Sequence, residues 1–216
     1  MFITSYLSKD LKPGKVNFST KDLLEMVQEM KLTHLPMFKG FDFIGNVAAE
    51  DLEELVDQSV NFEDYAESFY LLEEQTIFDA LRMMDLNATN VIPVLSKEFK
   101  YLGLVNEQSL IEGLAKFPFT TEMAVTMIIS ITTKDLTMGT IANIIESNHG
   151  KIFGLFIYDE TEDRTEVLIR FIAPNLVSIG ETFERYGFTV IQKNYTDEKQ
   201  ELLQSRYAQL LKYMNT

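Results

Sequence analysis

The amino-acid sequence predicts an α+β chain in which two like units stand in tandem and a third unit of different design follows. Three observations carry that reading. The first half superposes on itself at an offset of 57 residues. After Lys116 the repeat stops, and strand-type and helix-type hydrophobic periods alternate in the order βαββαβ. From Asp197 onward, apolar residues recur at helical spacing among Lys, Glu and Gln.

The repeat is read directly from the residues. Asp22-Leu23-Leu24-Glu25-Met26-Val27 lies over Asp79-Ala80-Leu81-Arg82-Met83-Met84, and Leu35-Pro36-Met37 over Ile92-Pro93-Val94, with no gap between them. One inserted residue then brings Phe43-Ile44-Gly45-Asn46-Val47 over Tyr101-Leu102-Gly103-Leu104-Val105, with Leu52 on Leu110. An internal duplication of this length defines the organisation before any single element is assigned. Each unit reads as helix, strand, turn, strand, helix. Leu23, Leu24, Val27 and Met30 fall at helical spacing, Leu35 to Phe38 runs into a Lys39-Gly40 turn, and Phe43 to Val47 returns. Proline at the start of the first strand costs little, because its missing N–H is tolerated there. The expected boundaries are residues 1–116 for the pair, with repeat one at about 1–56 and repeat two at about 60–116.

An apolar helix, a hydrophobic-Pro-hydrophobic strand, a turn and a hydrophobic-Gly-x-Val strand together resemble the CBS motif, and two in tandem resemble the module that paired CBS motifs form, each repeat of βαββα type. In nucleotide-binding members of that family the second strand ends in Gly-x-x-Thr/Ser-x-x-Asp, which the resemblance assigns to phosphate through the hydroxyl and to ribose through the carboxylate. Such chemistry is sound, since a carboxylate accepts two hydroxyl hydrogen bonds and a small hydroxyl beside a helix start donates to an anion. Here the first repeat reads Gly45 to Asp51, with Asp51 kept and Ala48 at the hydroxyl position. The second reads Gly103 to Ser109, with Asn106 and Ser109 at the two positions. Asp51, with His34 just before Leu35-Pro36, is the candidate ribose contact; the alternative reading of Asp51 is the cap or first turn of a helix beginning near Glu50. With acid in surplus and no Lys or Arg in the matched stretches, an uncharged adenosyl compound, a monophosphate or no ligand fits better than a triphosphate, so the cofactor the resemblance implies is an adenosine nucleotide or an S-adenosyl compound.

The third unit is expected over residues 121–195: strand Val125 to Thr132, helix Leu136 to Asn148, strand Lys151 to Asp159, a hairpin tip at Thr161 to Arg164, strand Glu166 to Ile172, helix Asn175 to Tyr186 and strand Phe188 to Lys193. That order is ferredoxin-like, with both helices on one face of an antiparallel sheet. Gly150, Pro174 and Gly187 punctuate it as helix ends and starts. A βαββαβ unit entered through Thr133-Lys134-Asp135 and Gly139 resembles an ACT domain, which implies an amino-acid ligand at a loop containing Asp135 and Gly139. A CBS pair followed by an ACT-like unit resembles the acetoin utilisation protein B type of bacterial regulator. Residues 196–216, with Leu202, Leu203, Tyr207, Leu210, Leu211 and Met214, are expected to form an amphipathic helix.

Composition narrows the function. With no cysteine and only two histidines, His34 and His149, there is neither a thiolate site nor a multi-histidine metal centre within one chain. A net charge of −14 opposes binding to nucleic acid and to anionic membranes. No stretch approaches the ~20 apolar residues of a membrane span, and the first residues lack a signal-peptide pattern, so the expected location is cytoplasmic. No nucleophile elbow, phosphate loop or dinucleotide fingerprint is present. The expectation is therefore a non-catalytic regulatory homodimer that passes a small-ligand signal to a partner protein, with a structural scaffold as the alternative.

Overall fold

The computed structural model describes residues 2–8, 10–56 and 61–194. The expected helix at 196–216 lies outside the described residues. The chain divides into two compact units, the first ending at Lys116 and the second beginning at Phe117.

In the first unit, repeat one contains β1 (Gly14–Lys15), α1 (Thr20–Met30), β2 (His34–Lys39), β3 (Asp42–Ala48) and α2 (Ala49–Glu54). Repeat two contains β4 (Leu71–Leu72), α3 (Ile77–Leu86), β5 (Val91–Leu95), β6 (Tyr101–Asn106) and α4 (Glu107–Leu114). Each forms a three-stranded sheet, β1-β2-β3 and β4-β5-β6, with its first pair parallel and its second antiparallel. The duplication runs deeper than the apolar pattern. Ser19 and Thr76, equivalent across the offset, both cap their helices by accepting from the N–H three residues on. Lys31 and Ala88, also equivalent, both turn the chain in the left-handed conformation after the helix.

The two repeats exchange their leading segments. A 3₁₀ turn at Ile3–Tyr6 packs against α3, α4 and β6 of repeat two, and Ser8 donates to Leu104 O at 2.7 Å on the edge of β6. A second 3₁₀ turn at Phe62–Asp64 packs on β3 of repeat one, where Asn46 and Glu67 exchange both backbone hydrogen bonds at 2.8 Å. Each leading segment thus satisfies the open edge of the other repeat's sheet. Ile3 and Phe62 are both buried by this exchange, each contributing roughly 1.5–3 kcal/mol. The sequence boundaries near 56 and 60 therefore separate the repeats along the chain but not in their packing.

The exchange explains the glycine of the hydrophobic-Gly-x-Val strand. At Gly45 (φ +149°) a Cβ would lie 2.7 Å from Ala66 Cβ and 3.0 Å from Glu67 O. At Gly103 its three nearest neighbours would all be side-chain atoms of Leu7, the first at 3.0 Å.

The second unit opens with α5 (Pro118–Thr121) and continues β7 (Val125–Thr132), α6 (Met138–Ser147), β8 (Lys151–Glu160), β9 (Arg164–Ile172), α7 (Leu176–Arg185) and β10 (Thr189–Lys193). The sheet is antiparallel in the order β10-β7-β9-β8, the ferredoxin-like arrangement. Met127, Ile129 and Ile131 of β7 and Val167, Ile169 and Phe171 of β9 alternate onto one face. There they meet Ile141, Ile144 and Ile145 of α6 and Ile179 and Phe183 of α7. Several element ends shift by one or two residues from the sequence reading, as where β9 begins at Arg164 rather than Glu166, and two differences have a plain physical cause. Helix α6 begins at Met138 rather than Leu136, because Thr133–Asp135 closes a 3₁₀ turn that leaves Leu136 extended. The left-handed residue ending it is His149 (φ +59°), not Gly150. Gly150 is required instead by close approach, since a Cβ there would sit 2.9 Å from Ile145 O and 3.0 Å from Ile172 O.

Gly45→Ala is expected to cost about 3 kcal/mol, from left-handed strain together with backbone overlap, and Gly103→Ala about 1 kcal/mol or less, because Leu7 can yield. Urea unfolding of the two variants checks this; equal losses would show that the exchanged segments do not press on the sheets unequally.

Candidate functional site

The register of β2 on β3 places His34 opposite Ala48 and Pro36 opposite Asn46. Leu35, Met37 and Val47 alternate into the core of repeat one, so His34, Asn46 and Ala48 share the other face. The leading segment of repeat two borders that face. Asn46 is fully buried, and its Nδ2 donates to Glu67 O at 3.2 Å and Phe69 O at 2.7 Å. Its Oδ1, equally buried, meets no hydrogen-bond donor among the described residues. His34 is 8% exposed; its ring stands edge-on to Phe69 at 5.5 Å, with Nδ1 3.1 Å from Thr33 Oγ1 and Nε2 3.8 Å from Glu67 Oε1.

Asp51 occupies the first turn of α2, half-buried, beside Glu50. Ala48 is the N-cap and makes no side-chain cap, so Asp51 lies where the helix dipole favours a carboxylate without itself capping the helix. Burial lowers the His34 pKa below its ordinary value of 6.5, while Glu67, Asp51 and Glu50 pull it back up. The histidine is therefore a neutral, desolvated group with three carboxylates in electrostatic reach. Repeat one thus brings His34, Ala48 and Asp51 into one neighbourhood.

In repeat two the corresponding side chains are committed to the backbone. Ser109 N–H donates to Asn106 Oδ1 at 3.0 Å, and Asn106 N–H donates to Ser109 Oγ at 3.2 Å, closing a capping box on α4. Ser109 Oγ also donates to Asn106 O at 2.8 Å. The position equivalent to His34 is the fully buried Val91, and that of Asn46 is the fully buried Leu104.

The two neighbourhoods are joined at equivalent residues. Thr33 N–H donates to Asn90 Oδ1 and Asn90 N–H to Thr33 Oγ1, both at 3.0 Å, across the offset of 57. Asn90 Nδ2 also donates to Lys31 O at 2.8 Å. The carbonyls of the same two residues accept from Ala49 N–H at 2.8 Å and Glu107 N–H at 3.1 Å, the first residues of α2 and α4. Both helix starts that bear the candidate residues therefore hang from one reciprocal pair.

Residues 64–116 match the family model of the CBS domain. The match falls on repeat two and on the leading segment that borders the repeat-one site. Among solved structures, a CBS domain pair/ACT domain protein from Thermotoga maritima is 19% identical, with a TM-score of 0.48, covering 54% of this chain and 98% of that one. The protein CBSX2 in complex with AMP is 18% identical, with a TM-score of 0.45, covering 53% of this chain and 96% of that one. A protein from Methanocaldococcus jannaschii described as a putative archaeal homolog of g-AMPK is 16% identical, with a TM-score of 0.45, covering 53% of this chain and 48% of that one. No curated protein matches the chain.

The second unit has Asp135 exposed at the end of the 3₁₀ turn and Gly139 exposed at the second position of α6. A Cβ at Gly139 would have Thr137 Cγ2, at 3.8 Å, as its nearest neighbour, so close packing does not demand glycine there. Among the described residues, no group of three or more His, Asp or Glu side chains is placed to hold a metal ion, and no helix is long and apolar enough to cross a membrane. Sequence reasoning missed Asn46, Glu67 and Phe69. Asn46 carried a readable signal, a polar residue in an apolar strand where the other repeat has Leu104.

Because the folded His34 resists protonation more than the unfolded chain does, the unfolded state binds more protons near neutrality. Its contribution to stability is expected to be complete above about pH 6.5 and to fade as pH falls through the depressed folded value. Thermal melts between pH 5 and 7.5 on the wild type and His34→Gln check it: the variant's melting temperature should depend less on pH, and parallel curves would rule out His34 as the source.

Proposed function

We propose that the chain is a non-catalytic regulatory protein in which the repeat-one site binds a small adenosyl ligand and the signal passes to a partner protein. The observation that carries this reading is the buried, unpartnered Asn46 Oδ1 on the face shared with His34 and Ala48. A buried acceptor without a donor costs about 1–3 kcal/mol, and an exocyclic amine admitted by displacement of the Glu67–Phe69 segment that covers Asn46 would relieve it. The Asp51 carboxylate supplies the acceptor for ribose hydroxyls. Glu50, Asp51 and Glu67 surround the site with negative charge, which favours a neutral or cationic adenosyl compound, or a monophosphate, over a triphosphate.

The reciprocal Thr33–Asn90 pair supplies the route for a signal. A ligand that moves the first turn of α2 pulls on the same residues that hold the first turn of α4. With the second unit read as an ACT-like domain at 121–195 taking an amino acid near Asp135 and Gly139, the domain order is that of the acetoin utilisation protein B type of regulator. The working form in this reading is a homodimer whose subunit arrangement the ligand biases.

Isothermal titration with adenosine, AMP, S-adenosylmethionine and ATP tests the site. At least one of the first three is expected to bind more tightly than ATP. Asp51→Ala should weaken it about tenfold or more, roughly 1.4 kcal/mol, and Ser109→Ala should leave it unchanged. Equal binding by Asp51→Ala would sink the assignment. The second reading, a scaffold with unliganded clefts, is favoured by the Asn106–Ser109 cap and by Val91 and Leu104. It prevails if none of the four compounds binds while light scattering still finds a dimer.

A further inference from the structure

We infer that the first unit carries a second binding site, an aromatic box for an organic ammonium ion, at the tips of the β2–β3 and β5–β6 hairpins. A cavity of about 490 Å³ opens there, lined by Phe41, Phe43, Tyr70 and Phe99 with Asp42 and Glu98 among its polar residues. Three of the rings form consecutive walls. Phe43 and Tyr70 lie 5.9 Å apart at 78°, and Tyr70 and Phe99 lie 5.8 Å apart at 79°. Near-perpendicular rings of this kind present both faces and edges to what they enclose, and a cation is held by the negative faces.

Two of the rings are not there to fill the core. Phe41 is 88% exposed and Phe99 54% exposed. Phe99 is also held in the left-handed region (φ +59°), an outlier for a bulky side chain. The β2–β3 turn uses Gly40 for its left-handed residue (φ +66°), the choice that carries no such strain. A strained, solvent-facing phenylalanine where glycine would serve is a feature the fold does not need, and such strain concentrates at binding sites.

Charge selects the ligand. Two carboxylates, Asp42 and Glu98, line the cavity against one lysine, Lys100. Glu98 is held in place by the hydrogen bond its Oε2 accepts from Ser96 Oγ at 3.0 Å. The chain's net charge of −14 raises the local concentration of cations further. A quaternary ammonium ion, apolar at its surface and positive throughout, satisfies both the rings and the acids. This site shares none of the residues assigned to the adenosyl site, so either can fail alone.

The test is titration of the full chain with choline and with its neutral isostere 3,3-dimethyl-1-butanol. Choline is expected to bind with a Kd of roughly 1 mM or below, and the isostere about tenfold more weakly. Phe99→Gly relieves the strained backbone, so this variant should melt at or above the wild-type temperature while losing choline binding about tenfold or more. Glu98→Gln should weaken choline and leave the isostere unchanged. Equal affinities for the two compounds, no choline binding in the millimolar range, or undiminished choline binding by Phe99→Gly would each overturn the proposal.

Discussion

The reciprocal hydrogen bonds between Thr33 and Asn90 are the constraint from which the first unit is organised. They join the same position of two repeats, so each residue donates its N–H to the other's side chain and offers its own carbonyl to the start of the following helix. Everything that the candidate site needs sits one step from this junction. His34 follows Thr33 directly, and the α2 turn that bears Asp51 begins on the Thr33 carbonyl. The pair is open to solvent, so water can replace the bonds lost with either partner, and its effect is to hold the geometry at about 0.5–1.5 kcal/mol per bond.

The exchange of leading segments makes that junction cooperative. Ile3–Tyr6 rests on repeat two and Phe62–Asp64 on repeat one, so neither sheet has its edge satisfied by its own repeat alone. Two duplicated halves with private cores could separate or slip; two halves that each complete the other's edge cannot do so without exposing both. The same exchange delivers Glu67 and Phe69 to His34, which is why the repeat-one site is composite although its named motif lies in one repeat.

Much of the fold was legible because hydrophobic period and duplication are properties of neighbouring residues. The offset of 57 read from Asp22 to Met37 extends in the structure to the caps Ser19 and Thr76 and to the short strands at Gly14 and Leu71. The βαββαβ order and its mean boundaries followed from the same periods. What was not legible depends on contacts remote in sequence. Gly45 reads as a strand glycine, yet its reason is Ala66; Gly150 reads as a helix cap, yet its reason is the Ile172 carbonyl while His149 bears the left-handed turn. Glu67 and Phe69 lie between the two repeated patterns, and only the edge pairing with Asn46 brings them to the site.

The divergence of the two repeats is itself an argument about function. The equivalent positions of the two repeats hold residues of opposite character. Repeat two places Leu104 and Val91 where repeat one has Asn46 and His34, and it closes its helix start with the Asn106–Ser109 box. Those choices stabilise: apolar groups replace buried polar ones, and a cap satisfies a helix terminus. Repeat one does the reverse. It keeps a desolvated histidine, an orphaned amide oxygen and a helix start without a side-chain cap beside three carboxylates. Because the junction ties their helix starts together, the polar face of repeat one is held against a repeat two whose equivalent positions are apolar or capped.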